Sequence, residues 1–572
     1  MKLYHIFSTA AVALSGLLLP SCADILKTET ESFVDLDGLP SYNANDSVYS
    51  AMGIVSQLQK LGERYVMLGE LRGDLVEVPA TAPTDYQEIS DFKATSANSF
   101  SPRHDYYGVI NNCNIALNRL DTLITEYNRS VLLKDYVSIR TMRDWTYLQL
   151  GLTYGKAVWI SEKEFAEKGL QSLNDVENNY PTVELDRLVE LLINDLTPFA
   201  AHETSDYGSV DGRSSRNFFI SPMLLLADLN LYSNKYVEAA YLYHEYMVKG
   251  SYTIRQDNGI IWSTASATGL SQEGGFSTYR NEMIAEIPYS SSAAEYHPDL
   301  INQTYSPEPY IIPASWWIKE MNTAQHLFAR SETAGTTSLL EGDTRGEVRF
   351  ATIGTPARAA AFLSAGLTYF STPALVTKFY NNADGYSEVK NPDNPIFENG
   401  GQAILRGVST YRVPHLYLRY AEAINRAGKP SMAFAVLKYG LRNDVVNNEV
   451  DPKIDPEEWE TREEWLNFED SRFDSNRGLS IRGLGVGMAI SPDYIIPEYD
   501  TLEEKINWVE EQILREMAAE TAFEGNRFFD LLRMSRHQSA PEAWFAAKVS
   551  RRFADPAAAA SRLSDSSSWW LK

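Results

Sequence analysis

The sequence predicts a mainly α-helical protein, a tetratricopeptide-like helical-repeat scaffold with a loop-rich inserted face containing short strands. Three observations carry that prediction. In Ser409–Asn443, Leu416, Tyr417, Tyr420, Ala421 and Ile424 recur at helical spacing, so one side of a helix is apolar. Gly428 suits a left-handed C-terminal cap and Pro430 a helix start, and Met432, Ala433, Val436 and Leu437 line the inner side of a second helix. Ala421 and Ala433, twelve positions apart, let the two helices approach closely, the packing logic of a tetratricopeptide hairpin. The same device recurs at 221–247, where Ala227 and Ala239 are again twelve apart and Ser233 and Asn234 mark the turn. The third observation is composition: 44% hydrophobic and 12% aromatic residues in 572 describe a folded chain with a large core.

The elements follow in order. Residues 1–21 read as a processing segment, with Lys2, an apolar run from Ile6 to Leu19 and no charge before Cys22. That run is too short for a convincing membrane span. Leu19-Pro20-Ser21-Cys22 resembles a bacterial lipobox, in which the cysteine receives a diacylglyceryl thioether, so the mature chain is expected to be anchored by lipid at Cys22. Residues 24–42 are polar and without period, as in a tether. From Asp46 a helix runs through Val48, Met52, Val55 and Leu58 into "RYVMLGELRGDL", and 79–103, with Pro79 and Pro83, reads as a loop.

Tyr106–Leu123 and Lys134–Tyr154 form the next helical pair, in which Cys113 is expected to be a buried, inert thiol. Gly155 leads out of it into an extended segment, and 182–200 is another amphipathic helix. Residues 250–408, rich in Gly, Ser, Thr, Pro and aromatics, read as an insertion between repeats within about 44–249 and 409–535. Ile506, Val509, Ile513 and Met517 give Leu502–Phe523 an inner face, and Trp569 and Trp570 are expected to pack the tail onto the body.

The charge of −25 excludes a nucleic-acid partner on electrostatic grounds, since phosphate binding needs clustered Lys and Arg. Two cysteines, Cys22 and Cys113, allow neither a disulfide framework nor a thiolate zinc site. "YHEYM" at 243–247 lacks the second His of a zincin site, and "RGLGVG" at 482–487 lacks the Lys-Ser/Thr of a phosphate loop. No nucleophile elbow occurs. No catalytic residue, metal site or cofactor is therefore expected. The 76 acidic residues could pair as glycosidase acids, but sequence shows no separation between them.

Near the C-terminus, "ILREMAAETAFEGNRFFDLLRMSR" resembles the late signature of the SusD/RagB family of outer-membrane nutrient-binding lipoproteins. Phe523, Glu524, Gly525, Arg527, Asp530, Leu531 and Arg533 match its pattern, as does Glu516, while Met517 and Thr521 replace its usual Arg and Leu. Glu524, Arg527, Asp530 and Arg533 recur every three positions and are read as an ion-paired network locking the last helix to the repeats rather than as a catalytic cluster. The lipobox, "YVMLGELRGDL", the helix around Arg143–Tyr154, "GDTRGEVRF" at 342–350 and the pair at 409–443 follow in the family's order, so the resemblance spans the mature chain, 22–572, as one domain.

That resemblance implies about four helix pairs. It also implies a non-enzymatic, surface-facing lipoprotein of the outer membrane that captures oligosaccharides and hands them to a SusC-like TonB-dependent transporter. Acidic residues that often follow the anchoring cysteine of such surface lipoproteins are here reduced to Asp24.

Sugar capture needs an aromatic face for the apolar side of a pyranose and polar side chains for its hydroxyls. The densest aromatic run is 276–317, with Tyr279, Tyr289, Tyr296, Tyr305, Tyr310, Trp316 and Trp317. Ser315 reads as an N-cap that sends at most one of the two tryptophans into the core. By resemblance, ligand contacts come from this region and from the loop after the first helix, which adds Tyr86, Asn98 and His104. The expected ligand-binding set is Trp316, Trp317, Tyr289, Tyr296, Tyr86 and Asn98. An oligopeptide ligand, a surface glycoside hydrolase and a purely structural lid on the transporter stay open as alternatives.

Overall fold

The computed structural model describes residues 43–572, apart from 124, 127–128, 169–179, 255–262, 265–281, 293–294, 305–307, 334–335, 347–374, 377, 380–404, 448–453, 456–457, 459–462 and 485–487. The proposed anchor Cys22, Tyr279, Tyr305 and most of the 250–408 insertion lie outside the described residues.

Helix α1, Ala44–Leu71, starts at a capping box: the Asn43 side chain accepts from the backbone of Asn45 and Asp46, and Asp46 accepts from the backbone N–H of Asn43. α2, His104–Arg119, and α3, Leu133–Tyr154, pack on each other and on α1. α3 is buried on all sides from Val137 to Tyr154, not on one stripe as its pattern suggests. Its Arg140 and Arg143 are accommodated because Asp195 and Glu162 close over them, with Arg143 Nη2 2.6 Å from Asp195 Oδ2. Gly155, at φ +74°, ends α3 and turns the chain into the strand Lys156–Val158.

α4, Leu185–Leu196, packs between α3 and the next hairpin, α5, Pro222–Tyr232, with α6, Tyr236–Gly250. β1, Met283–Pro288, pairs antiparallel with β4, Gly407–Arg412, while β2, Leu327–Thr333, and β3, Thr336–Glu341, form a hairpin between them in sequence. β4 runs directly into α7, Val413–Arg426, which pairs with α8, Pro430–Lys438. β5, Met488–Ile490, adds to the edge of β2, and α9, Leu502–Thr521, packs on both α7 and α8. α10, Arg527–Ser535, returns to α1, and α11, Pro541–Val549, covers α10.

The alanine device is seen in both hairpins. Ala227, Ala239, Ala421 and Ala433 are all fully buried where α5 meets α6 and α7 meets α8. Asn234 and Gly428 take the left-handed conformation that each tight turn requires. Two expectations need correction. The 79–103 stretch contains a short helix, Thr84–Ser90, entered through Pro83 and fixed by burial of Tyr86 and Ile89. Ser315 is not an N-cap; the helix Ser315–Asn322 follows Ala314, and the Ser315 N–H donates to Glu77 Oε1 at 2.7 Å. Cys113 is buried, and burial pushes its thiol far above the usual range.

The C-terminal signature closes the fold from inside. Phe523 and Gly525 both have positive φ, forming a turn whose Gly525 N–H donates to Glu70 Oε1 at 2.8 Å. The Gly525 carbonyl lies so close to Gly69 on α1 that a Cβ there would sit 1.9 Å from it. Glu520 lies among three guanidiniums, those of Arg345, Arg412 and Arg482, at 3.2–3.5 Å. Glu524 meets Arg412 at 2.6 Å and Lys378 at 2.7 Å, Arg527 meets Asp74 at 2.6 Å, and Arg533 meets Glu422 at 2.6 Å. Every one of these groups is buried, so Glu524, Arg527, Asp530 and Arg533 are indeed a structural network.

Candidate functional site

The site is organised by one short pairing. Val76–Glu77, just past α1, pairs antiparallel with Ile312–Pro313, and the Ala314 N–H donates to Leu75 O at 2.7 Å. These bonds bring the loop after the first helix against the aromatic stretch that ends at Trp317. The two regions singled out in the sequence are therefore one surface.

Tyr86 and Tyr310 meet edge to face, ring centroids 5.0 Å apart, and Phe100 packs on the other side of Tyr86 at 5.3 Å. The polar centre is Glu63 of α1. Its Oε1 accepts from Gln303 Nε2 at 2.8 Å and from the Tyr86 hydroxyl at 3.5 Å. Gln303 is held by its own backbone, whose carbonyl accepts from Tyr310 N–H at 2.7 Å; its side-chain Oε1 has no partner among the described residues. Tyr296 stands at the rim with 49% of its surface exposed and its ring 6.2 Å from that of Tyr289. Partial burial, then the nearby charges of Glu63 and Asp105, raise the Tyr296 phenol above its usual range. Its hydroxyl is therefore a proton donor at any physiological pH.

The remaining expected residues have other duties. Trp317 is 1% exposed and lies in the core, and Tyr289 is buried with its hydroxyl donating to Gln59 O at 2.9 Å. Tyr289 fits only because position 62 is glycine, where a Cβ would meet its hydroxyl at 2.0 Å. Neither ring offers a face to a ligand. Asn98 is buried and spends its amide on the loop itself, donating to Asp85 O and Glu88 Oε2 and accepting from Phe100 N–H, each at 3.0 Å. Trp316 is half-buried; its Nε1 donates to Asp74 O at 2.7 Å, and the Arg551 guanidinium lies 5.0 Å from its ring centre. Tyr86 is buried, with its hydroxyl turned to Glu63. His104 is exposed beside Asp105.

The arrangement is thus a rim of Tyr296, Tyr310 and the edge of Tyr86 around Glu63, Gln303 and Asp105. Carboxylates can accept hydroxyl protons there, while tyrosines supply apolar faces and donors. Glu63, Gln303 and Asp105 were missed in the sequence. The one signal for Glu63 is a carboxylate immediately before the run "RYVML", and nothing marks Gln303. Among the described residues burial holds six carboxyls above their usual range: Glu70, Asp144, Glu422, Glu458 and Glu516 are buried, and Glu245 is half-buried on α6. Among the described residues no group of three or more His, Cys, Asp or Glu is placed to hold a metal ion. Among them, too, no helix is long and apolar enough to cross a membrane.

Comparison with known proteins agrees with this architecture. Solved structures of the same fold include a SusD homolog from Bacteroides thetaiotaomicron, with TM-score 0.52 and 15% identity over 94% of this chain and 95% of that one. A SusD superfamily protein from Bacteroides vulgatus gives 0.52 and 13% over 93% and 92%. A SusD-like carbohydrate-binding protein from Bacteroides fragilis gives 0.51 and 13% over 86% of each chain. At such identities the likeness shows the fold alone. No curated protein matches the sequence. The family itself is shown by sequence: residues 258–564, more than half of the chain, match the model of the SusD family. That match takes in the Phe523–Arg533 turn and helix whose buried ion pairs tie α9 and α10 to α1 and α7, and on it the chain belongs to the SusD family.

Proposed function

We propose that this protein captures oligosaccharides at the bacterial surface and passes them, uncleaved, to a TonB-dependent outer-membrane transporter, held there by lipid on Cys22. The observation that carries the reading is the rim of Tyr296, Tyr310 and Tyr86 around Glu63, which joins aromatic rings to a partly exposed carboxylate. Family membership supports it, since the SusD family is associated with the cell surface, and so does the carbohydrate-binding relative from Bacteroides fragilis. Binding without cleavage is favoured because none of the carboxyls raised by burial, Glu70, Asp144, Glu245, Glu422, Glu458 and Glu516, belongs to this rim.

The test is a binding screen of the lipid-free chain beginning after Cys22, against polysaccharides and a peptide mixture, with released sugar assayed alongside. Retention by one glycan class, lost in Tyr296→Ala and in Glu63→Gln, is the expected result. Released reducing sugar would sink the non-enzymatic reading. Peptide-only retention would replace sugar with peptide, and no retention would leave a structural lid on the transporter.

A further inference from the structure

A second site lies at the far end of α1. Among the described residues, the buried guanidiniums of Arg143, Arg345, Arg412, Arg482, Arg527 and Arg533 each lie within 2.6 Å of a carboxylate oxygen. Arg72 is 1% exposed and has no such partner. Its Nε donates to Leu68 O at 2.9 Å, and its Nη1 makes longer bonds to Thr153 O and Trp569 O, at 3.4 and 3.2 Å. Its guanidinium carbon sits 3.9 Å over the Phe528 ring, and its Nη2 donates to no group among the described residues. Burial pushes this guanidinium down to about 9, and no carboxylate holds it up. Arg552, also surrounded by neutral partners, differs because its donors are spent on Gly73 O, Leu71 O, and the Ser90 hydroxyl and carbonyl.

An uncompensated buried cation is costly, and an unpaired donor beside it adds to the cost. Here Arg72 is part of the wall of an open space. A cavity of about 180 Å³ lies against Arg72, walled by Ile89–Ala94 on one side and by the chain from Asp565 to Lys572 on the other. Lys93 and Lys572 line it as exposed cations, Lys93 with its Nζ 2.9 Å from Asp91 Oδ2, and the one carboxylate among the lining side chains, that of Asp565, accepts from the N–H of Ser567 at 3.0 Å. Ser567 and Ser568 add hydroxyls to the wall. The volume is close to the roughly 150 Å³ that holds one benzene, so the space suits a molecule of a few heavy atoms.

We propose that this cavity binds a small oxyanion, carboxylate or tetrahedral, which supplies the negative charge Arg72 lacks and takes hydrogen bonds from Lys93, Lys572 and Ser567. Bound there, the anion fastens the C-terminal segment to the end of α1. None of these residues belongs to the aromatic rim around Glu63, so the proposal does not rest on the glycan reading.

Thermal melting of the full chain tests it, with sodium acetate, sulfate or phosphate titrated against sodium chloride at matched ionic strength. A saturable rise in Tm with at least one oxyanion is expected; acetate alone would identify a carboxylate, and sulfate or phosphate a tetrahedral anion. The double variant Lys93→Ala/Lys572→Ala, altered only at exposed side chains, should melt normally without anion and need about fivefold more of it for half-saturation. Arg72→Met, checked for folding by circular dichroism, should lose the response altogether. The proposal is overturned if no oxyanion differs from chloride, or if the double variant responds as the unaltered protein does.

Discussion

The molecule holds two polar centres built on the same helix, and they are made in opposite ways. Around Glu520 and Glu524 every charge is buried and matched by another: Arg345, Arg412, Arg482 and Lys378 against Asp343, Glu282, Glu516 and the two central glutamates. Around Glu63 the burial is mixed: Glu63, Tyr310 and Tyr296 keep part of their surface open while Gln303 and Tyr86 are buried, and the Gln303 Oε1 has no partner among the described residues. α1 serves both, meeting the Gly525 turn through Gly69 and Glu70 and the aromatic site through Gly62 and Glu63. The closed centre fixes where helices sit; the open one is what remains able to bind. The recognisable signature lies entirely in the closed centre, so it reports the fold and says nothing of the ligand.

The largest effects are expected where the closed centre is broken on one side. Arg412→Met leaves Glu524, Glu520 and Glu282 short of a cation in the core, and urea unfolding should show a loss of about 3–5 kcal/mol. If the loss is under 1 kcal/mol, the network is not what holds α9 to β4. Gly69→Ala should cost about 1–3 kcal/mol or more, because the added methyl meets a backbone carbonyl that cannot rotate away. A neutral outcome would mean that the Gly525 turn is free to move.

Acidity separates the centres further. Burial raises Glu70 from 4.5 to about 8, only partly opposed by the Gly525 N–H. A carboxyl raised on folding contributes stability that is full below its unfolded value and lost as pH rises through its folded value. From pH 5 to 8 the protein should therefore lose up to about 1.4 kcal/mol per pH unit through this group. Glu70→Gln should flatten that slope and exceed the unaltered protein in stability at pH 8. Glu162 runs the other way. Burial alone would raise it, but Arg143 and Arg140 hold it near 2, so its contribution is present above 4.5 and is lost as pH falls toward 2. Denaturation curves at four pH values on both proteins would show whether the alkaline slope belongs to Glu70.

The difference between the centres also decides what the sequence could reveal. Hairpin packing was legible because it depends on local spacing: Ala227 with Ala239 and Ala421 with Ala433 state it outright. The ion-paired role of Glu524, Arg527 and Arg533 was legible because charge at a three-residue period on an otherwise apolar helix needs partners. Their partners Asp74, Glu422 and Arg412 were not, since they lie far off in sequence and only the fold brings them near. At the open site the regions could be named but not the residues. Aromatic density does not distinguish Tyr296 at the rim from Trp317 in the core; that choice is made by which side of a short helix or turn faces the Val76–Glu77 pairing.

The smallest stability effect should carry the largest functional one. Tyr296→Ala removes a half-exposed ring whose hydroxyl makes no hydrogen bond among the described residues, so unfolding should shift by no more than about 0.5 kcal/mol. Loss of a stacking face would nevertheless weaken glycan binding about tenfold, or about 1.4 kcal/mol. Trp317→Ala should show the reverse, a core loss of about 3–5 kcal/mol, with near-normal affinity in whatever fraction stays folded. Calorimetric titration of both variants, alongside their unfolding curves, makes the contrast explicit. If Trp317→Ala lost affinity while keeping its stability, the buried tryptophan would have to turn outward on binding, and the division between a closed scaffold and an open site would fail at that residue.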